Sequence, residues 1–250
     1  MSKQYIHSGI CIWCKRGEPV VSFKRAPHIV PKAIGATEIG FDVCDECNHY
    51  FGTATKEFPY NMDLVFKEVF NTIQYALSGI IKVNKSYSSA YFHFNPAKRK
   101  FKLKRAISYA DFTSAFKRSL YEVFLQKYHY TFPDDSLEQF EHIRNYARYG
   151  VGHMNVFFLL NETVLISQIC EDNVWLPMPT DCRDKIFSTG YFVFLYMGQI
   201  LFFEIIPELA RANGFDGLYQ VASDYILSKN TWIQPLNDFR ELDLFLNRLR

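Results

Sequence analysis

Four cysteines stand in two Cys-x-x-Cys pairs, "CIWC" at 11–14 and "CDEC" at 44–47, with 29 residues between the pairs. Thiolates are soft ligands, and two intervening residues let a tight knuckle turn aim both sulfurs at one ion. Cys11, Cys14, Cys44 and Cys47 are therefore the candidate ligands of one tetrahedral zinc ion. The competing readings are chance pairing of buried cysteines and a redox dithiol. Between the pairs runs "RAPHIVPKAIG", residues 25–35. It places His28, a side chain able to take a proton from water, inside a segment too short to build a core of its own. Metal bound there would contribute folding energy directly.

The whole chain bounds what such a site can belong to. It has 250 residues, 48% hydrophobic and 17% aromatic, which is enough to bury a sizeable core and excludes a disordered chain. The net charge of +2 is too small to identify a partner, so any nucleic-acid footprint has to be local. The opening "MSKQYIHSG" lacks the apolar stretch of a signal peptide. The most apolar run, 191–207, contains Gly198, Gln199 and Glu204, and reads as two buried strands around a Met197–Gly198 turn rather than a membrane span. A cytoplasmic protein without membrane attachment is the expectation. In a reducing compartment the paired cysteines signify metal rather than disulfides, and Cys170 and Cys182 are expected to be buried structural thiols.

The elements that must position the cysteines and His28 follow from periodicity. "GEPVVSFKRAPHIV" reads as extended chain, and "DECNHYFGTATKEF" as a helix start with Cys47 in its first turn. Residues 62–78 place Leu64, Val65, Val69, Ile73, Ala76 and Leu77 at helical spacing. Residues 89–105 predict a hairpin turning at Asn95–Pro96, and 111–128 an amphipathic helix capped by Asp111. The segment 134–150 predicts a helix capped by Asp134, Asp135 or Ser136 and ended by Gly150. Strands are expected at 154–160, at 163–169 and as the pair within 191–206, with helical spacing again at 217–228 and 237–249. Helices followed by strands without regular βαβ alternation give an α+β fold. The division expected is a zinc module at 1–60 followed by a larger mixed helix/strand domain at 61–250.

"HIVPKAIG" followed by "CDECNHYFG" resembles the HNH endonuclease superfamily, and more narrowly its four-cysteine zinc group. The resemblance covers residues 10–58, about a fifth of the chain. It implies a zinc-stapled, treble-clef-like ββα-metal module in which the zinc does no chemistry. It implies that His28 activates the attacking water and that Asn48 helps hold a catalytic Mg²⁺ or Mn²⁺. The chemistry agrees, because phosphodiester cleavage needs a proton acceptor and a cation against the developing charge. The sequence departs from the family in one respect: Pro27 stands where many members carry an acidic metal ligand. Nor is there an Asn shortly before the second cysteine pair, where Ile39, Gly40 and Phe41 stand. Glu38, Asp42 or Glu46, a substrate phosphate, or a partner or second copy are the possible replacements. His49 reads as a partly exposed helix residue, and His7, His93, His129, His142 and His153 as structural.

"AKRKFKLKR", residues 97–105, carries six Lys or Arg in nine residues. As a strand it would put Lys98, Lys100, Lys102 and Lys104 on one face, and Arg99, Phe101 and Leu103 on the other. Such a cationic face can follow a phosphate backbone, with Tyr91 and Phe92 adding stacking, or can simply protect a solvated edge. Arg144 and Arg148 share one helical face and read as surface residues. No P-loop, G-x-S-x-G or H-E-x-x-H motif occurs in 61–250, which is expected to serve recognition, regulation or assembly. The leading expectation is a metal-dependent endonuclease acting on DNA more readily than RNA. By the same resemblance it would be a restriction or phage-defence effector working beside a partner such as an ATPase sensor. The alternative is a catalytically inactive zinc module that binds nucleic acid or a protein.

Overall fold

Burial is densest along α3 (Tyr109–Thr131), where Phe112, Phe116, Leu120, Phe124 and Tyr128 are all fully enclosed. The computed structural model, which describes residues 5–80, 86–95, 97, 100–160, 178–197, 199–223 and 232–241, packs the rest of the α+β fold around this helix. The amphipathic helix expected at 111–128 is therefore found as a longer one buried on every side along its middle, since Arg118, Glu122, Gln126, Lys127 and His129 are also buried. Its N-cap is Ser108, whose Oγ accepts from the Asp111 N–H at 3.3 Å, and not Asp111. Asp111 sits three residues in, where its charge suits the helix N-terminus.

α1 (Asp45–Phe51) and α2 (Met62–Ile80) precede α3, and α2 buries Val65, Val69 and Ile73 against it, as their spacing predicts. α4 (Glu141–Tyr149) starts later than expected. Asp135 is engaged by the Tyr128 hydroxyl at 2.8 Å, and Ser136 Oγ accepts the Glu138 N–H and so holds the 3-10 turn at Glu138–Phe140 instead. Gly150 ends α4 as predicted, at φ 66°; a Cβ there would also stand 2.7 Å from the Phe58 ring.

β1 (Phe92–Asn95) and β2 (Lys100–Leu103) form the predicted hairpin, with Phe94 opposite Phe101 and the two rings stacked at 4.6 Å. A second sheet runs β4 (Tyr191–Tyr196), β5 (Gln199–Glu204), β3 (Val156–Leu160), β6 (Trp232–Pro235), antiparallel throughout. The β4–β5 hairpin turns where the sequence placed it, and Met197 adopts φ 47° there. One face of this sheet presents Phe192, Phe194, Phe203 and Phe158 to α2 and α3; the other presents Tyr191, Phe202 and Leu159 to α6 (Pro207–Ala222). Both faces are covered, which is why the strands read as unbroken apolar runs. α5 (Cys182–Thr189) leads into β4 and buries Cys182, as expected. The strand expected at 163–169 and Cys170 lie outside the described residues, as do most of the C-terminal helical segments.

Core residues of the cysteine segment, among them Trp13, Phe23, Ile29, Val43 and Phe51, belong to the same buried cluster as those of α2, α3 and α4. Asp42 ties the segment to α3. It is fully buried with φ 54°, and accepts from the N–H groups of His7, Ser8 and Gly9, from Ser8 Oγ, and from His129 Nε2 at 3.0 Å. Burial alone would raise its pKa, but these donors outweigh it and hold the carboxyl well below the usual range.

Asp42→Ala is expected to destabilise the protein by about 3–5 kcal/mol, because it strands His129 and three backbone N–H groups in the interior. Glu46→Ala removes only the exposed pair with Arg16, and is expected to cost less than about 1 kcal/mol. Urea unfolding of the two variants side by side checks the contrast.

Candidate metal centre and the residues around it

The first cysteine pair lies on a knuckle. Ile10 and Gly17 form an antiparallel bridge, the Lys15 N–H donates to the Cys11 carbonyl at 2.8 Å, and Lys15 takes φ 58° to complete the turn. The second pair lies on α1, with Cys44 as its N-cap and Cys47 in its first turn. The Cys44 N–H points at Cys11 Sγ from 3.4 Å, and Cys14 Sγ lies 3.8 Å from Cys44 Sγ. All four sulfurs lie within 4.8 Å of one another, three of the cysteines being buried. This group could hold a metal ion such as zinc, and a set of four soft thiolates fits zinc better than a hard cation.

Packed so closely, the thiols cannot all ionise unaided. Cys11 is pushed down to about 5, chiefly by the hydrogen bond from Cys47. Burial pushes Cys44 up to about 12, and Cys47 is pushed up by its bond to Cys11 and by burial. A dication among the sulfurs reverses this and favours four thiolates.

Two arginines that the sequence suggested were surface residues instead clasp this centre. Arg144 is buried; its Nε donates to the Ile12 carbonyl inside the knuckle at 2.6 Å, and its Nη2 to the Leu137 carbonyl at 2.8 Å. Arg148 is held charged in part by Cys47, and its guanidinium lies 3.6 Å from the centre of the Tyr50 ring. Arg16, paired with Glu46 at 2.8 Å, sets its charge beside Cys14 from the solvent side. The i, i+4 spacing of Arg144 and Arg148 was visible, but not that α4 turns that face inward. Next to Arg148 opens a cleft lined by Tyr50, Lys56, Phe58 and Tyr149.

His28 sits on a short bridge with Ile39, secured by Ile29 N–H to Glu38 O at 3.2 Å and Gly40 N–H to Pro27 O at 2.8 Å. It is half-buried, and its Nδ1 is buried without a partner among the described residues. Asn48 is half-buried on α1, one residue past Cys47. Asp45 connects the two elements by accepting from Ser22 Oγ at 2.6 Å and from the N–H groups of Lys24 and Arg25, just ahead of Pro27. His49 is exposed, as expected. His129 and His142 have structural partners, in Asp42 and in the Ile205 carbonyl at 2.7 Å.

On the basic hairpin the expected alternation holds where it is described: Phe101 and Leu103 are buried, Lys102 and Lys104 exposed. Lys102 faces His93 across the strands, and Lys104 Nζ donates to the Ser89 carbonyl at 2.9 Å. Lys98, Arg99 and the side chain of Lys100 lie outside the described residues.

Purified protein is expected to carry one zinc ion per chain by elemental analysis. Cys44→Ser or Cys47→Ser is expected to abolish binding and lower the Tm, and Arg148→Ala to leave zinc bound but released faster to a chelator. The chain was compared with protein-family models, curated proteins and solved structures, and none of them matches it.

Proposed function

We propose that the chain is a metal-dependent endonuclease of the HNH type that cuts phosphodiester bonds in DNA. One observation carries the reading. His28 and Asn48, the two side chains named by the resemblance, lie on the bridge and on the helix that flank the cysteine group, and neither makes a side-chain hydrogen bond among the described residues. In this reading the cysteine group holds a structural zinc that fixes the knuckle to the N-terminus of α1.

His28 acts as the general base, taking a proton from water as the oxygen attacks phosphorus. The sugar oxygen on the far side departs with the other end of the strand. Asn48 offers an amide oxygen to a Mg²⁺ or Mn²⁺ ion. When bound, that ion offsets charge on the phosphate and on the leaving oxygen. Lys102 and Lys104 bear on the DNA backbone from the hairpin, and the cleft beside Tyr50 and Arg148 adds aromatic and cationic surface for a strand. The setting of a restriction or phage-defence effector, with an ATPase partner, follows by analogy alone.

Pro27 favours a second reading, a zinc module that binds nucleic acid or a protein without cutting. It has no side-chain oxygen, and its carbonyl is already taken by the Gly40 N–H.

Supercoiled plasmid incubated with the protein is expected to be cut in Mg²⁺ or Mn²⁺ and left intact in EDTA. His28→Ala is expected to lose roughly 10²–10⁴-fold in rate with zinc content unchanged. Salt-sensitive DNA binding with no cutting under any metal would select the second reading. Replacing both Lys102 and Lys104 by Ala is expected to reduce the slope of log affinity against log salt by about 2, measured by fluorescence anisotropy.

A further inference from the structure

The cleft beside Arg148 has a volume of about 430 Å³ and opens between the ends of α1 and α4. That size lies within the range of small-molecule sites, roughly 300–1,000 Å³. The rings of Tyr50, Phe58 and Tyr149 line it, together with the cations of Lys56 and Arg148. Glu57 is the acid of the lining, and the cations outnumber it.

The walls are fixed from behind by one buried side chain. Arg118 Nη2 donates to the Tyr50 hydroxyl at 2.9 Å, and Nε donates to the Ala147 carbonyl on α4 at 3.1 Å. The same guanidinium lies 3.7 Å from the centre of the Phe58 ring. Arg118 thus ties together α1, α4 and the loop at residues 55–58. That loop also closes on itself. The Thr55 N–H donates to the Phe58 carbonyl at 2.8 Å, and the Phe58 N–H to Thr55 Oγ1 at 3.0 Å.

The open side presents groups that the fold has not used. Lys56 is exposed and makes no hydrogen bond or ion pair among the described residues. The Tyr149 side chain is 47% exposed, and its ring centre lies 5.3 Å from the Arg148 guanidinium. An aromatic ring offers a stacking face to any base, and lysine and arginine beside it suit a phosphate. Ring and cations together specify a nucleotide. An acidic peptide would leave the rings unused, and an apolar ligand would leave the cations unused. A base inside a duplex shows a protein only its edges, because its faces are covered by its neighbours. The cleft therefore suits a base that is out of the stack.

We propose that this cleft binds one unpaired nucleotide of a nucleic-acid strand, its base stacked on Tyr149 and its phosphate held by Lys56 and Arg148. Tyr50 and Asn48 stand two residues apart on the same short helix, so a strand held here passes close to the side chains assigned to catalysis. That use rests on the nuclease reading; the binding itself rests on the cleft. The chain would thereby favour DNA with unpaired stretches over intact duplex.

The test measures binding of a labelled single-stranded oligothymidylate to the zinc-loaded full chain by fluorescence anisotropy, without Mg²⁺ or Mn²⁺. The strand is expected to bind at least about tenfold tighter than a blunt duplex of the same length. Tyr149→Ala is expected to weaken the strand about 5–150-fold and to leave binding of an abasic strand unchanged. Lys56→Ala is expected to reduce the slope of log affinity against log salt by about 0.7. Tyr219→Ala, at a comparably exposed tyrosine on α6, is expected to change neither. All three side chains are exposed, so the variants are expected to match the wild type in zinc content and Tm. In the wild-type chain, a strand carrying iodouracil is expected to crosslink under ultraviolet light to Tyr149 or a neighbouring ring of the cleft. Equal affinity for duplex, strand binding unchanged in Tyr149→Ala and Lys56→Ala, or crosslinks confined to the 89–105 hairpin would overturn the proposal. Thymidine monophosphate binding as tightly as the strand would overturn it in favour of a free nucleotide. If the variants lose the strand and no DNA is cut in any metal, the cleft stands and the nuclease reading falls. If DNA is cut through His28 while the variants bind the strand unchanged, the reading stands and the cleft falls.

Discussion

Four sulfur atoms confined within 4.8 Å of one another are the constraint on which the N-terminal quarter of the chain depends. They join a knuckle at residues 11–17 to the first turn of α1, and so close a loop of about thirty residues. That loop has one short bridge, at His28 and Ile39, and otherwise holds its shape through turns and side-chain bonds. Loop closure of this kind removes chain entropy that so few local hydrogen bonds could not offset. A cation among the sulfurs also resolves their electrostatic conflict, since without one Cys44 and Cys47 hold their protons beside Cys11.

The segment does not stand apart from the helices. Polar links cross from it into α3 and α4, among them Asp42 to His129, Glu38 to Lys127, the Ile12 carbonyl to Arg144, Tyr50 to Arg118 and Lys15 to Glu141. Asp42, Lys127, His129, Arg118 and Arg144 are buried, so each requires its partner to be in place before it contributes anything. This explains why α3, at the centre of the fold, carries so many polar residues. They are the receiving side of a small, core-poor segment docked onto a larger helical layer, and the aromatic packing of α2, α3 and the sheet keeps them in position.

Much of this was legible in the sequence, and the exceptions have physical reasons. Spacing alone located the cysteine group, α2, the two hairpins and the Gly150 stop, because a ligand pair, a 3.6-residue period and a left-handed cap are local properties. The caps of α3 and α4 were misplaced because several short polar residues compete at each start, and the choice depends on which one tertiary contacts take first. Asp135, for example, is claimed by Tyr128. Arg144 and Arg148 were read as surface residues because arginine on an amphipathic helix normally is. The burial of Arg144 depends on a carbonyl more than 100 residues away in the chain. Strand β6 and helix α5 went unread, being short and without strong periodicity. The candidate site divided in the same way: its cysteines and His28 could be seen, whereas Arg144 reaches the knuckle only through the packing of α4.

Arginines carry the charge balance around the cysteine group. A dication among four thiolates would leave a net charge of about −2. The guanidiniums of Arg16 and Arg148, which act on Cys14 and Cys47, would bring that close to neutral. Glu122 on α3 is likewise opposed by Arg118 of the same helix, whose guanidinium also bonds the Ala147 carbonyl and the Tyr50 hydroxyl. The same side chains that tie the helices to the cysteine segment thus also offset the charge buried between them.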